Sequence, residues 1–299
     1  MQRKIIYFIN PISGTKDKQV LLQKIKERTA QENIPFEILH TNAAGNYFFL
    51  KDKIDKEEIT DIVICGGDGT INKIVNALLD VDVKIGIIPL GSGNGLALAA
   101  KIPRQFDKAL DLIFKGKASY IDSFFINDTF SCMLCGLGFD AQVAHDFANQ
   151  QTRGLSTYVK QTLNNFLSAE PFEFEITDRG KTFITHAYFI SIANSNQFGN
   201  NFTIAPKASL SDGLIDVVIV RKMSKLRLLW TVIKHISKGE PANYTDKTFH
   251  DKDVIYFQTD KLIIKNPENA PLHIDGDPAT TAKKFTFEII PDAFKLIQP

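Results

Sequence analysis

Residues 65–73 read CGGDGTINK. An apolar run, DIVIC at 61–65, leads into this stretch, and NKIVNALLD at 72–80 has the spacing of a helix. Glycines at 66, 67 and 69 let the main chain turn sharply and come close to a ligand. The helix start adds unpaired N–H groups and the positive end of its dipole. Strand, glycine bend and helix in that order form a phosphate cradle. Thr70 suits a capping or hydroxyl-donating role. Asp68 fits less simply, because a carboxylate repels phosphate. It points to Mg²⁺ bound with the phosphates, or to a group that takes a proton from an attacking hydroxyl. An Asp-Gly turn chosen for its backbone shape is the structural alternative.

A second bend of the same kind follows. GSGNG at 91–95 closes the apolar strand KIGIIP and opens a helix-like stretch, NGLALAAKI. Bends about 25 residues apart, each at a strand end, are expected side by side at one edge of a parallel sheet. Open α/β sheets bind their ligands at that edge. Neither bend is a Walker loop, because the lysine of GxxxxGK[ST] is missing, and neither has a good GxGxxG spacing.

Outward from the bends, the first ~120 residues alternate strand and helix patterns. KIIYFIN (4–10), FEILHT (36–41), DIVICGG (61–67) and KIGIIPLGSGN (84–94) read as strands. Residues 16–33 read as an amphipathic helix with Val20, Leu21, Ile25 and, less ideally placed, Leu22 inward. Beyond residue 120 short alternating runs take over, at 172–194, 214–222, 253–266, 271–277 and 284–291. TDRGK lies between two such runs and signals a hairpin. Helical stretches are expected at 155–168 and 224–238. The fold class is therefore α/β: a doubly wound parallel-sheet domain over residues 1–122, then an antiparallel β-sandwich domain over 123–291. The tail, about 292–299, is expected to pack back on the first domain.

Composition narrows the function. The 299 residues include 44% hydrophobic and 23% charged, as in ordinary globular proteins. A net charge of +1 gives no global pull toward nucleic acid. No uncharged apolar stretch reaches membrane-spanning length, and MQRKIIYFINP is too short for a signal-peptide core. Three cysteines do not make a disulfide framework, and a cytoplasmic location is expected. Cys132 and Cys135 form a CxxC, but no second ligand pair completes a metal site, and a buried strand, TFSCMLCGLGF, explains them better. The histidines have no metal-ligand spacing.

Six segments in order carry a resemblance: NPISG (10–14), GGDGT (66–70), PLGSGNGLA (89–97), GLGFDA (136–141), SDGLIDV (211–217) and IDGD (274–277). Together they resemble the diacylglycerol kinase catalytic family, which includes bacterial lipid kinases and sphingosine kinases. GSGN is nearer the sphingosine-kinase form of its motif. The resemblance implies a site in the cleft between two domains and transfer of the ATP γ-phosphate to a lipid hydroxyl, with Mg²⁺. It implies that Asn10, Ser13, Gly14, Thr41, Gly91, Ser92 and Asn94 line the nucleotide. The turn from Gly66 to Asn72, with Gly67, Gly69 and Thr70, would hold its phosphates. Mg²⁺ would take Asp212 with the carbonyls of Ser209 and Leu214. Asp140 matches a position near the lipid headgroup, or else caps the following helix.

The chain departs from the family at one position. The late glutamate held to accept the proton is matched here by Asp277. Aspartate reaches about 1.5 Å less, and misplacement on that scale costs about 100-fold in rate. Catalytic candidates are therefore Asp68, Asp275 and Asp277. A lipid substrate implies transient contact with a membrane surface, and the helix 224–238 has an apolar face and lysines suited either to that contact or to ordinary core packing. The sequence leaves a homodimer open. One alternative is an NAD kinase, which shares GGDGT but lacks GSGN and DGLxD. Another is a nucleotide- or lipid-binding relative without catalysis.

Overall fold

The structure is a computed structural model and describes residues 2–11, 13, 18–42, 45–148, 169–196, 205, 207–224, 249–250 and 254–299. Gly14, the helix expected at 155–168, and all but the first residue of 224–238 lie outside them. The chain forms two compact units, residues 1–122 with 292–299, and residues 123–291.

The first unit runs β1 (Ile5–Ile9), α1 (Lys18–Gln31), β2 (Phe36–His40), α2 (Phe49–Glu57), β3 (Asp61–Gly66), α3 (Asp68–Ala77), β4 (Lys84–Pro89), α4 (Gly95–Ala99) and α5 (Phe106–Lys115). Strand β5 (Lys117–Ile126) leads out of it. The parallel ladder has the order β2-β1-β3-β4. After β1 the chain goes to one side to form β2, then crosses back to place β3 on the other side. The strand order thus reverses between β1 and β3, the place where open α/β sheets bind ligands at the carboxyl ends of their strands.

β1 and β3 are buried along their whole length, so their apolar runs have no polar alternation. Ile5, Tyr7 and Ile9 pack with Val63 and Cys65 against Leu21 and Ile25 of α1 and Phe106, Ala109, Leu110 and Ile113 of α5. Phe8, on the opposite face, meets Tyr47 edge-on with ring centroids 5.5 Å apart. The inward side of α1 is Leu21, Ile25 and Thr29, whereas Val20 is 53% exposed and does not join it. Tyr7 and Thr29 share a buried hydroxyl–hydroxyl hydrogen bond of 2.9 Å.

The amino edge of this sheet is closed by charge. Arg3 donates to both carboxylate oxygens of Asp61, at 3.1 and 2.8 Å, and to the carbonyls of Ile113 and Phe114, where α5 ends. One guanidinium thus neutralises a fully buried carboxylate and caps a helix.

The second unit continues with β6 (Thr129–Ser131), β7 (Leu134–Gly138), α6 (Phe139–Ala148), β8 (Phe172–Asp178), β9 (Lys181–Ala193), β10 (Ile215–Arg221), β11 (Phe249–His250), β12 (Val254–Thr259), β13 (Lys261–Lys265), β14 (Leu272–Ile274), β15 (Asp277–Ala279) and β16 (Lys284–Gln298). It is an antiparallel β-sandwich. The hairpin at TDRGK is present, with positive φ at Arg179 and Gly180. The long strand β9 changes neighbours along its length, pairing first with β8 and then lying between β7 and β10. Inward residues such as Phe124, Phe174, Ile190, Ile192, Val217 and Phe287 form one core. The last strand, β16, leaves this unit at Pro291, and Lys295 and Leu296 pair in parallel with Lys84 and Ile85 of β4.

Several boundaries differ from the pattern reading. α3 starts at Asp68, so DGT forms its first turn. The segment TFSCMLCGLGF splits into β6 and β7 around Cys132 and Met133. All three cysteines are buried and none forms a disulfide. Burial pushes the Cys65 thiol up to about 12 and the Cys135 thiol well above its ordinary value.

Two outcomes follow from these arrangements. Arg3→Met strands the Asp61 carboxylate and should lower stability by about 2–3 kcal/mol, less than for a fully buried pair because Arg3 is partly exposed. The midpoint of urea unfolding measures it. A thiol-exchange reagent should label none of the three cysteines in the native protein and all of them in denaturant.

Candidate functional site

The two glycine bends touch. β3 ends at Gly66, whose carbonyl accepts the Leu90 N–H at 2.9 Å, just past the end of β4. A Cβ added to Gly91 would lie 2.6 Å from the Gly67 Cα and 2.9 Å from Asn94 Oδ1. One added to Gly67 would lie 3.1 Å from the Gly91 Cα. Only residues without side chains allow this approach. Asn94 then fixes the second bend. Its Oδ1 accepts the Gly91 N–H at 2.8 Å and its Nδ2 donates to the Gly91 carbonyl at 2.7 Å. Asn94 is itself buried and left-handed, with φ +54°.

The same geometry gives Asp68 a role that its sequence context did not show. Its carboxylate accepts the N–H groups of Gly95 at 3.1 Å and Leu96 at 3.4 Å. These are the opening amides of α4, so Asp68 ties the first bend to the helix after the second. The Asp68 charge is thereby balanced within the protein, by main-chain donors.

The other expected nucleotide residues gather at the carboxyl ends of β1, β2 and β3. The Asn10 N–H donates to the Cys65 carbonyl at 3.0 Å, and Asn10 Nδ2 donates to Thr70 Oγ1 at 2.9 Å. Ser13 Oγ donates to the Asn10 carbonyl at 3.1 Å, and the Thr41 N–H to the Ile9 carbonyl at 3.1 Å. Gly69, Thr70 and Asn72 lie on the first turns of α3 and are half-buried, while Ser92 is exposed in the second bend. Two cations went unnoticed in the sequence. Lys18 donates to the Ser13 carbonyl, and Arg104 to the Gly93 carbonyl at 3.0 Å. Burial lowers the Lys18 ammonium below its ordinary range. Each cation sits several residues beyond its motif, and no spacing rule marks it.

In the second unit, IDGD is a two-residue hairpin. Asp275 (φ +49°) and Gly276 (φ +86°) are its central residues, and Ile274 pairs with Asp277 across it. Two positive φ values in succession are the reason for Asp-Gly. The Asp275 carboxylate is buried. It accepts Ser131 Oγ at 2.6 Å, the N–H groups of Cys132 at 3.2 Å and of Met133 and Leu134 at 3.1 Å each, and lies 3.6 Å from the Cys132 thiol. Asp277 is exposed.

Asp140 opens α6, and its Oδ1 accepts the Ala141 N–H at 2.8 Å. Its Oδ2 lies 3.4 Å from Nε2 of the fully buried His273, and both groups sit over the bare Cα of Gly136. Burial raises the Asp140 carboxyl above the usual range, opposed by its contact with His273.

The turn 209–214 presents Asp212 to solvent. Its Oδ1 accepts the Leu214 N–H at 3.2 Å, and its Oδ2 shares the Gln258 amide with Asp216, at 3.3 and 3.2 Å. Ser209 Oγ accepts the Ser211 N–H at 3.4 Å. Burial pushes Asp216 up to about 7, eased by Gln258 and reinforced by the charge on Asp212. The ligand atoms expected from Asp212 and from the Ser209 and Leu214 carbonyls are all oxygens, which fits a hard divalent cation. Among the described residues no three His, Cys, Asp or Glu side chains converge as a metal site.

Comparison with known proteins agrees with this architecture. Residues 4–126 match the model of the diacylglycerol kinase catalytic domain, and residues 134–298 match that of the YegS C-terminal NAD kinase beta sandwich-like domain. The protein named diacylglycerol kinase from Bacillus subtilis is 28% identical over 279 residues, covering 92% of this chain and 89% of that one. A "Probable lipid kinase YegS-like" protein of Yersinia enterocolitica is 30% identical over 249 residues, 81% of this chain and 79% of its own. A crystal structure described as a diacylglycerol kinase from Bacillus anthracis has a TM-score of 0.76 at 19% identity, covering 99% of this chain and 97% of that one. The chain belongs to the diacylglycerol kinase and YegS-like lipid kinase family.

Proposed function

We propose that this protein transfers the γ-phosphate of ATP to the hydroxyl of an uncharged, diacylglycerol-like lipid, with Mg²⁺. The observation that carries the reading is the contact between Gly67 and Gly91 at the carboxyl edge of the parallel sheet. It sets two glycine bends, one of them at the start of the ten-residue helix α3, where a polyphosphate chain is favoured. Membership in a lipid kinase family supports transfer rather than storage of that phosphate.

The first unit supplies orientation. The first turn of α3 and the bend at 91–95 hold the phosphates, while Asn10, Ser13 and Thr41 line the rest of the nucleotide. Asp68 keeps the two bends together. The second unit supplies the acid–base group. As the acceptor oxygen bonds to the γ-phosphorus, the bond from that phosphorus to the β,γ-bridging oxygen breaks and ADP leaves. The hydroxyl proton passes to Asp277, the exposed carboxylate of its hairpin. Asp212, with the carbonyls of Ser209 and Leu214, would hold Mg²⁺, which when bound supplies neutralising charge to the phosphates.

Asp140 favours an uncharged headgroup. A carboxylate already set against a buried imidazole is a poor counter-ion for the ammonium of a sphingoid base. It can still accept a hydrogen bond from a neutral lipid. Among the described residues no helix is long and apolar enough to cross a membrane. The enzyme would meet its substrate by transient contact at the cytoplasmic face of the membrane.

Radiolabelled ATP offered with diacylglycerol, sphingoid bases, ceramide and phosphatidylglycerol tests the reading. Label is expected in diacylglycerol, and binding of ATP without transfer to any lipid would overturn it. Asp277→Asn should reduce turnover about 100-fold with ATP binding retained. Gly91→Ala forces the bends apart and should weaken ATP binding at least about tenfold while circular dichroism stays unchanged. Calorimetric titration with ATP measures the second effect.

A further inference from the structure

The hairpin that carries Asp277 is small. β14 and β15 have three residues each, and β15 pairs only with β14 among the described residues. A ribbon of that size has little stability of its own. It is anchored on one side by β14, through the pairs Ile274–Cys135 and Leu272–Leu137 with β7. The turn itself is anchored by Asp275. Its N–H donates to the Leu134 carbonyl at 2.8 Å, and its carboxylate turns back over residues 131–134.

That segment has an unusual shape. β6 stops at Ser131 and β7 starts at Leu134, and between them the N–H groups of residues 132, 133 and 134 all converge on one carboxylate, that of Cys132 on Oδ2 and those of Met133 and Leu134 on Oδ1 of Asp275. Successive amides directed at one point form a nest for an anion. Here the chain supplies that anion itself, with the Ser131 hydroxyl as a further donor at 2.6 Å. Charge-assisted bonds of this kind are strong and directional. Asp277 lies two residues further on, at the open side of the turn, and is exposed.

We propose that Asp275 and Ser131 are positioning residues: the nest built by Ser131 and the amides of 132–134 locks the Asp275 carboxylate, and that lock sets where the Asp277 carboxylate stands. This rests on the reading of Asp277 as proton acceptor. With its oxygens facing four hydrogen-bond donors at 3.2 Å or less, Asp275 is engaged by the fold, and the proton goes to its neighbour. The lock also bears on the shorter side chain at 277. Losing one methylene of reach makes the placement of the hairpin matter more.

Ser131→Ala removes one donor and leaves the core intact, and it serves where Asp275→Asn proves too damaging to fold. It should lower kcat on diacylglycerol about tenfold, leave KM for ATP unchanged and keep the acid limb of the pH–rate profile. Asp277→Asn should remove that limb. Combining Ser131→Ala with Asp277→Asn should cost no more than Asp277→Asn alone, because the lock acts only through that carboxylate. Amide exchange at Met133 and Leu134 should quicken in Ser131→Ala, which reads the nest without any turnover. An unchanged kcat in Ser131→Ala, fully additive losses, or unchanged exchange would each overturn the proposal. So would an Asp275→Asn enzyme that loses the acid limb while Asp277→Asn keeps it. If the unaltered protein phosphorylates no lipid, the kinase reading fails and the exchange measurement alone decides whether the lock exists.

Discussion

Two turns of main chain lie against each other with only hydrogen atoms between their α-carbons, at Gly67 and Gly91. Much of the first unit serves that contact. Parallel pairing of β3 and β4 brings the strand ends level, from Asp61 opposite Lys84 to Gly66 opposite Pro89. Burial of both strands between helices holds the pairing in register. Asn94 closes the second turn from within, and Asp68 bridges the first turn to the helix beyond the second. This edge presents closely packed main chain and the first turn of a ten-residue helix, which suits a ligand rich in negative oxygens.

Four carboxylates, three of them buried and Asp68 half-buried, have dedicated partners. Asp61 takes a guanidinium, Asp68 takes two amides, Asp275 takes amides and a hydroxyl, and Asp140 takes an imidazole. Each arrangement fixes a junction between segments distant in sequence. The exposed Asp212 and Asp277 stand apart from this group. That division separates carboxylates drawn into the fold from those that face solvent.

Much of the plan was legible in the sequence, for reasons tied to particular residues. The glycines at 66, 67 and 91 mark a backbone requirement that no other residue meets, so they announce the bends directly. The apolar runs of β1 and β3 announce burial on both faces, and the alternation at 172–194 announces a hairpin. Helices α2 and α5 were not read from the pattern. The roles of the aspartates were also hidden. Asp68 and Gly95 are 27 positions apart, and Asp275 and Ser131 are 144 apart, so only folding shows which donors each carboxylate meets. Lys18 and Arg104 escaped notice because each acts on a carbonyl through a long flexible side chain. Val20 was assigned to the wrong side of α1, since consecutive apolar residues give no phase until a neighbour selects one.

The pairing of β16 with β4 makes the first unit discontinuous along the chain. During synthesis, residues 1–122 emerge with one sheet edge still bare at β4. That edge waits through the whole of the second unit before residues 292–298 arrive to cover it. Assembly order is thus written into the topology: the first unit begins before the second and is completed after it.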